Sequence, residues 1–332
     1  MKPHSVQEPD RKITYAITDL GTLGGLSESA ATDINNKGQI VGWCGVEGRI
    51  TRGFLWQNGR MTDLGTPQGS SSKALALNDN GQIVGWSGDK ETENAFAYLW
   101  KNGKARALGT LPTHKFSIAT GINNRGDICG FGFGYQSGPR VSGCAFLLSN
   151  GKMIGLPFMD DETYASDINE KGQVVGYSVF LDLVSAILYQ EGKTQELDGL
   201  WGSEVLAAAV NNQGMVVGYS SIRPGGLMHA HACLWRRGAD QRAVDLGSLG
   251  GRSCATDINV RNQVVGWSST ARDQWQRLAV LWRSGKIQSL QDLIPQDSGW
   301  TLTTADALNN EGQIVGTGVI GGKTRAFLLT PL

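Results

Sequence analysis

The chain has 332 residues, of which 40% are hydrophobic and 18% are charged, a composition typical of a folded globular protein. Thirty basic and thirty acidic residues cancel, and a net charge of zero disfavours non-specific binding to nucleic acid or to an anionic membrane surface. No apolar run approaches the roughly 18 residues that a membrane-spanning helix needs.

The first residues, MKPHSVQEPDRK, lack the apolar core of a secretory signal. We therefore expect a cytoplasmic protein as the sequence is written, or an exported one if a leader has been removed. Residues 1–12 are predicted to form a disordered extension, and residues 13–332 a single domain. The first predicted element is a strand at Ile13–Gly21.

The next segment opens a repeat that runs through the whole chain. The phrase DINNKGQIVGW at Asp33–Trp43 recurs six more times, and the glycines that close the seven phrases lie 42 to 50 residues apart. These glycines are Gly42, Gly85, Gly130, Gly176, Gly218, Gly266 and Gly316. A period of this length indicates one supersecondary unit per repeat.

Each unit reads as four short strands, which we letter a to d. In the first unit they are AATDIN, QIVGW, GFLWQ and RMTDLG, short segments rich in β-branched and aromatic residues and bounded by Gly and Asn. Seven such units predict an all-β protein, a seven-bladed β-propeller with four antiparallel strands per blade. The last unit lacks strand d, so Ile13–Gly21 is predicted to supply it and to close the ring.

Several repeated residues have a backbone explanation. An asparagine ends strand a in every unit, and its side chain is predicted to fold back onto the turn that follows. Three residues later stands a glycine, or Asn262 in the sixth unit, as a left-handed turn requires. An alanine in strand a of every unit, such as Ala165, is predicted to be small because the strands converge near the axis.

The phrases resemble the HAF repeat of bacterial proteins. The resemblance rests on the pattern S-x-A-x-x-I-N-x-x-G-Q-V-V-G, then A-F-L-W-x-x-G, then D-L-G-T-L-G-G, and extends from Ile13 to Leu329. It implies a bacterial propeller, often exported or on the cell surface. It implies no common activity, so function has to be argued from a site.

Loop lengths distinguish the two faces of the predicted propeller. The a–b turns have one length in every unit and the c–d turns nearly so, which indicates a structural role. The d–a and b–c loops vary in length, and variable loops on a rigid scaffold commonly carry function. We therefore place a site on the d–a/b–c face, around the mouth of the central channel.

Three tryptophans depart from the repeat positions and are predicted to lie in these loops: Trp201, Trp275 and Trp300. Exposed aromatic residues favour ligand or partner contact, although each could instead fill a gap under its own loop. Tyr135 and Arg252 complete the candidate ligand-binding set. The remaining tryptophans, at the ends of strands b and c, are predicted to pack in the core.

Candidate catalytic residues come from the same loops: His114, His229, His231, Asp161 and Glu204. Histidines converging on one mouth would supply a general acid or base, and His229 with His231 is a weak candidate for a divalent metal site. Asp161 follows Asp160 and precedes Glu162, which would suit a cation or acid–base chemistry. Solvated loop side chains explain the same residues without any function.

Three carboxylates, Asp33, Asp167 and Asp257, fall in strand a near the axis. Because buried carboxylates need hydrogen bonds, we expect them to pair with the backbone of the neighbouring d–a loop. The five cysteines fall in or beside strand phrases and are interpreted as small buried hydrophobic residues, which is compatible with a reducing compartment.

Two functions remain open. The first is a binding propeller that recognises a small molecule, glycan or protein at one asymmetric site, since no catalytic signature accompanies the repeat. The second is a propeller lyase, hydrolase or cyclase at the same mouth. We expect a monomer, no nucleic acid partner and no resident cofactor, with a divalent metal as the one alternative.

Overall fold

The computed structural model describes residues 14–45, 50–89, 94–134, 143–157, 162–181, 183–223, 226–236, 242–273 and 275–332. In this part of the chain 28 strands form seven four-stranded antiparallel sheets, and in six of them the strands a to d follow each other in sequence. This confirms the seven-bladed β-propeller. The predicted extension at residues 1–12, Tyr135, Asp160 and Asp161 all lie outside the described residues.

The strands of the first three blades, given in the order a to d, have the following bounds. Blade 1 contains β2 (Glu28–Ile34), β3 (Ile40–Gly45), β4 (Thr51–Gln57) and β5 (Arg60–Asp63). Blade 2 contains β6 (Ser71–Leu77), β7 (Ile83–Gly88), β8 (Phe96–Lys101) and β9 (Lys104–Ala107). Blade 3 contains β10 (Phe116–Ile122), β11 (Ile128–Phe133), β12 (Cys144–Ser149) and β13 (Lys152–Gly155).

The next three blades follow the same order. Blade 4 contains β14 (Glu162–Ile168), β15 (Val174–Phe180), β16 (Leu183–Gln190) and β17 (Lys193–Leu197). Blade 5 contains β18 (Val205–Val210), β19 (Val216–Ser221), β20 (Ala230–Trp235) and β21 (Val244–Gly247). Blade 6 contains β22 (Gly250–Ile258), β23 (Val264–Thr270), β24 (Leu278–Arg283) and β25 (Lys286–Ser289).

Blade 7 is assembled from both ends of the described chain. Its first three strands are β26 (Trp300–Leu308), β27 (Ile314–Ile320) and β28 (Lys323–Pro331), and its strand d is β1 (Tyr15–Asp19). β1 pairs antiparallel with β28, from Tyr15 opposite Pro331 to Asp19 opposite Phe327. The predicted closure by the N-terminal strand is therefore confirmed, and it leaves β28 without an unpaired edge.

Strand a is the innermost strand of every blade. Each strand a contacts strand a of both neighbouring blades, and β26 contacts β2 to complete the circle. Helical structure in the described residues is confined to two short 3-10 turns, Gly226–His229 and Leu290–Leu293. Within the described ranges, the structure contains no helix with the length and apolar character needed to span a membrane.

The a–b turns hold the inner strands together through a closed ring of asparagines. The oxygen of each asparagine side chain accepts two N–H groups of its own turn, as predicted. Its nitrogen donates to the carbonyl of the corresponding asparagine in the next blade, at 2.9–3.1 Å. The ring consists of Asn35, Asn78, Asn123, Asn169, Asn211, Asn259 and Asn309.

The predicted left-handed turn residues are also confirmed. Gly38 has φ +72° and the exceptional Asn262 has φ +58°. Strand a packs closely on strand b in each blade: a Cβ added to Gly176 would lie 2.0 Å from the carbonyl oxygen of Tyr164. Ala165, beside it, is 2% exposed, so small residues are required where the inner strands meet.

Candidate functional site

Six of the seven blades place an aromatic residue directly after the closing glycine of strand b. We call these residues the aromatic collar: Trp43, Trp86, Phe131, Tyr177, Tyr219 and Trp267. They lie in the half of strand b nearer the d–a and b–c loops, opposite strand a of their own blade. Trp43, Phe131 and Tyr177 are half-buried and the other three are buried. The collar therefore forms a ring of aromatic residues on strand b, toward the predicted functional face.

Side chains from strand a of the next blade insert between neighbouring collar residues. The Lys73 ammonium lies 5.0 Å from the ring centroid of Trp43 and 6.0 Å from that of Trp86. Tyr164 fits in the same way between Phe131 and Tyr177, at 5.0 Å from each ring. These contacts join adjacent blades by cation–π and aromatic interactions close to the axis.

Charge is unevenly distributed around the collar. On blades 4 and 5, Glu162 accepts a hydrogen bond from the Tyr164 hydroxyl at 3.2 Å, and Glu204 is half-buried beside strand a of blade 5. Burial and then the Glu162 carboxylate raise the pKa of Tyr164 and Tyr177. This side of the mouth is acidic and rich in phenols.

The neighbouring sector, on blade 6, is basic. The Arg277 guanidinium lies 4.3 Å from the ring centroid of Trp267, and that of Arg252 lies 5.6 Å from the same ring. Arg252 also lies 5.2 Å from the ring of Trp275. Two predicted ligand-binding residues, Arg252 and Trp275, are therefore brought together, and Arg277 joins them.

Blade 7 interrupts the collar, because Thr317 stands where the other blades have an aromatic residue. The hydroxyls of Thr304 and Thr317 both donate to Oδ2 of Asp306, at 3.1 and 3.3 Å. Burial raises the pKa of Asp306 to about 6, against the opposing effects of the two hydroxyls and of Arg277. We call Thr304, Asp306 and Thr317 the blade 7 gap.

The three axial carboxylates are hydrogen-bonded to backbone, but not to the d–a loop that we expected. In each, Oδ1 accepts the next N–H of its own strand and Oδ2 accepts an N–H from strand a of the following blade. The bulge in strand a turns these side chains toward the neighbouring inner strand. Burial raises the pKa of Asp33 to about 7 and of Asp257 to about 8, and raises that of Asp167.

The three candidate histidines each contact a different partner. His114 is buried with its Nδ1 2.9 Å from the Thr113 hydroxyl, and His229 Nδ1 lies 3.0 Å from the Arg223 guanidinium. His231 Nδ1 is 2.9 Å from Asp245 Oδ2, on strands c and d of blade 5. Because an ionised carboxylate only accepts, Nδ1 is the donor. No group of three or more potential metal ligands occurs among the described residues.

The His231–Asp245 contact is the pair best suited to acid–base chemistry. Burial opposes ionisation of Asp245, but hydrogen bonds from His231 and from the Gly247 N–H outweigh it and lower the pKa of Asp245. The carboxylate therefore orients the imidazole and leaves Nε2 available as an acceptor. The pair lies on outer strands, whereas the collar lies on the inner ones.

The three off-register tryptophans have three different environments. Trp275 is 72% exposed in the b–c loop of blade 6, and Trp201 is 87% exposed in the loop between blades 4 and 5. The loop placement of Trp300 was wrong: it begins β26, is 7% exposed and packs edge-on against Phe327 at 6.0 Å. Blade 7 has a tight b–c hairpin at Gly321 and Gly322, which lets β26 and β27 pair as far as Trp300.

Trp201 belongs to an exposed apolar patch on blade 4. The b–c hairpin of this blade exposes Phe180, Leu181 and Leu183, and Val184 N donates to Ser203 O in the loop that carries Trp201. Leu181 has φ +54° at the hairpin tip, a conformation unfavourable for leucine. The patch is separate in sequence and blade from the Arg252–Trp275 contact.

The cysteines are all free thiols. Cys44, Cys129 and Cys233 are buried as predicted, but Cys144 and Cys254 are only partly buried. Burial raises the pKa of Cys254, which lies opposite Trp267, to about 12, and Arg277 opposes this shift. The thiol is therefore a neutral group near the basic side of the mouth.

Two cavities lie on the other face, between blades. One of about 460 Å³ is bounded by the a–b and c–d turns of blades 1 and 2, including Lys37, Asp63 and Asn102. One of about 520 Å³ occupies the corresponding place between blades 2 and 3, including Arg106, Arg125 and Asn150. Both are open inter-blade grooves lined by turn residues that the repeat itself supplies.

Comparison with known proteins supports the fold. A family described as a protein of unknown function (DUF3466) matches residues 6–155, which ends with the last strand of blade 3. No curated protein matches the sequence. The structure is similar to a catalytically inactive virginiamycin B lyase from Staphylococcus aureus solved with quinupristin, with TM-score 0.58 and 12% identity over 95% of this chain and 99% of that one.

Two peptidases are similar over part of their length. Acylaminoacyl peptidase from Pyrococcus horikoshii gives TM-score 0.59 and 8% identity, over 94% of this chain and 53% of that one. A puromycin-hydrolyzing peptidase from Mycobacterium tuberculosis gives TM-score 0.56 and 10% identity, over 88% of this chain and 49% of that one. At such identities the likeness shows the propeller fold alone.

Proposed function

We propose that this propeller is a binding protein with one asymmetric ligand site at the channel mouth, on the face of the d–a and b–c loops. The observation that carries the proposal is the break in the aromatic collar at blade 7, where Asp306 interacts with exposed Arg277 of the neighbouring blade. A repeated structure that binds through every blade would keep its residues equivalent. Here one sector combines an absent aromatic residue, a partly buried carboxyl group and two guanidinium groups.

The chemistry of this sector suits a small molecule or a glycan residue, or the side chain of a protein partner. Exposed indole rings stack on flat or chair-shaped rings, and guanidinium groups donate to oxyanions. The uneven charge of the mouth, acidic on blades 4 and 5 and basic on blade 6, would orient a polar ligand. The proposal includes a monomeric protein of the HAF-repeat type from a bacterium, in a reducing compartment that keeps its cysteines as thiols.

The alternative is an enzyme at the same mouth, and the His231–Asp245 pair is the observation that favours it. That pair is placed on the outer strands of blade 5, so a substrate held in the collar would have to extend across the blade to reach it. Binding is therefore the better supported function. Chemical conversion of a bound compound would establish the alternative.

The test is a ligand-observed NMR screen of a mixed fragment and monosaccharide panel against four proteins, the wild type and three variants. We expect compounds that bind the wild type to lose their signal with Arg277→Gln and with Trp275→Ala. Arg261→Gln is the matched control, because Arg261 is an exposed arginine of the same blade in the a–b turn on the other face. Compounds that respond only to Arg261→Gln, or equally to all three variants, would contradict the proposed face.

A further inference from the structure

The blade 6 arginines place two positive charges on a single indole ring. Arg277 is exposed and Arg252 is half-buried, and both guanidinium groups lie within 6 Å of the Trp267 centroid. Two positive charges held on one ring repel each other, and an anion bound to both would offset that repulsion. The stacking holds both groups in place, which reduces the entropy that either would lose on binding a ligand.

Among the described residues, the two carboxyl groups nearest these arginines accept hydrogen bonds from within the protein. Oδ2 of Asp306, in electrostatic contact with Arg277, accepts the two threonine hydroxyls of the blade 7 gap. Oδ1 of Asp273, in the same loop as Trp275, accepts the N–H groups of Trp275 and Gln276 at 2.9 Å. Arg272 adds a further exposed positive charge to this loop. The three arginines of the sector therefore outnumber its two described carboxyl groups.

Trp275 supplies an apolar platform beside these charges. Its indole is stacked against Arg252 at 5.2 Å and is nevertheless 72% exposed. The Asp273 carboxylate accepts the Trp275 N–H, and this hydrogen bond restricts the backbone that carries the ring. An aromatic residue held in this way stacks on ligand rings with little ordering cost.

We infer that the sector formed by Arg252, Trp267, Trp275 and Arg277 binds a carboxylate carried on a ring. The inference rests on the proposed function and names its ligand class. Arg277 and Arg252 donate to the carboxylate oxygens, and Trp275 stacks on the ring that bears the group. Both an aromatic acid and a sugar acid have this chemistry.

The experiment uses two matched pairs of probes, titrated into the full chain by calorimetry. Indole-3-acetate is paired with neutral indole-3-acetamide, and glucuronate with neutral glucose, at up to about 10 mM, where a Kd of ~1 mM is readily measured. We expect the acid of at least one pair to bind at least tenfold more tightly than its neutral partner. The pair that shows the difference distinguishes an aromatic acid from a sugar acid.

Variants then locate the bound acid. Arg277→Gln should lower the affinity for the acid about tenfold, the effect of losing one charge-assisted hydrogen bond. Trp275→Ala should lower the affinities for the acid and for its neutral partner by the same factor. Arg261→Gln should leave binding unchanged. Raising the salt concentration should lower the affinity for the acid and leave that for the neutral compound unchanged.

Three results would overturn the inference: neutral probes that bind as tightly as acids, acids whose affinity survives Arg277→Gln, or no binding of any probe. Neutral probes that bind as tightly as acids, with a binding that still depends on Trp275, would refute the carboxylate as the ligand class. The proposed site at the channel mouth would then still stand. Acid binding that is lost with Arg261→Gln and retained with Arg277→Gln would reject the proposed face as well.

Discussion

The side-chain nitrogen of Asn309 donates a hydrogen bond to the carbonyl oxygen of Asn35 at 3.1 Å, joining residues 274 positions apart. This bond completes the asparagine ring, so blade 7 and blade 1 are linked at the axis as any other two neighbours are. Closure of the propeller therefore includes the backbone pairing of β1 with β28 on the outer strands and this side-chain contact between the inner strands.

Asn309→Asp should destabilise the protein, because aspartate keeps the two acceptor contacts but cannot donate to Asn35 or to Gln313. We expect a loss of about 2–4 kcal/mol in the free energy of unfolding, since one buried and one partly buried acceptor lose their donor and a charge is buried. Urea denaturation measures it. Asn310→Asp is the control, because the Asn310 side chain acts as an acceptor and aspartate retains that role. Equal losses would show that the ring adds nothing.

Trp300 of blade 7 and Trp275 of blade 6 should behave oppositely. Trp300→Ala should lower the free energy of unfolding by about 3–5 kcal/mol, because it empties a core position against Phe327. Trp275→Ala should change it by no more than about 0.5 kcal/mol, because the side chain is largely exposed. Thermal or chemical unfolding of both variants checks this. A large loss with Trp275→Ala would mean that its loop supports the blade.

Stability should decrease as pH rises above the range where carboxylates normally ionise. Burial raises the pKa of Asp33 to about 7 and of Asp257 to about 8, so the folded state holds protons that the unfolded chain has released. Their contribution is complete below about pH 4 and is lost as pH rises toward 7–8, at up to about 1.4 kcal/mol per pH unit for each group. Urea denaturation from pH 5 to pH 8 measures the slope.

Asp257→Asn should reduce that slope, whatever it does to the absolute stability. Asp127→Asn is the matched control. Burial opposes ionisation of Asp127, but hydrogen bonds from Ser149, Asn123 and Arg125 outweigh it and lower its pKa, so it is ionised throughout this range in both states. Asp127→Asn should change the free energy of unfolding by the same amount at every pH from 5 to 8, so that its slope against pH stays that of the wild type. A wild-type curve that rises from pH 5 to pH 8 would contradict the assignment.

Removal of residues 1–21 should lower the melting temperature, because it deletes β1 and exposes the edge of β28. Tyr15 is 1% exposed and packs in the same core as Phe327 and Leu329, so apolar contacts are lost together with backbone pairing. A synthetic peptide of residues 13–21 should restore part of the melting temperature in proportion to its concentration. A scrambled peptide serves as control, and a truncated protein that melts like the full chain would refute the closure.

Some features follow from sequence because they are local and repeated. Asn35 and Gly38 recur at one spacing in the chain, and a turn needs an acceptor at the first position and a left-handed residue at the second wherever it occurs. Strand length, the four-strand unit and the number of blades follow from the same repetition. Even the exception at Asn262 was predictable, since asparagine is the residue that best replaces glycine there.

The candidate site was predictable only in part. Arg252 and Trp275 were identified as candidates from the sequence, and the tryptophans after the strand-b glycine were predicted to pack in the core, as Trp86 and Trp267 do. The aromatic residue at this position in six of seven units was a visible signal of the collar that the sequence analysis did not use. The sequence analysis missed Lys73, Arg277 and Asp306, because the contacts that make each of them a candidate are with residues of a neighbouring strand or blade. Trp300 was misplaced since strand length in blade 7 depends on how tightly its b–c hairpin turns.

The sequence by itself therefore determined the architecture, because propeller blades are set by local turns and by strand patterns that repeat along the chain. Only the tertiary structure decided which side chains meet across blades. Thr317 is an ordinary threonine in the chain, and it becomes a gap in the collar only when six other blades are arranged around the same axis. Asn309 contacts Asn35 for the same reason: ring closure brings together residues whose distance in sequence carries no information about their distance in space.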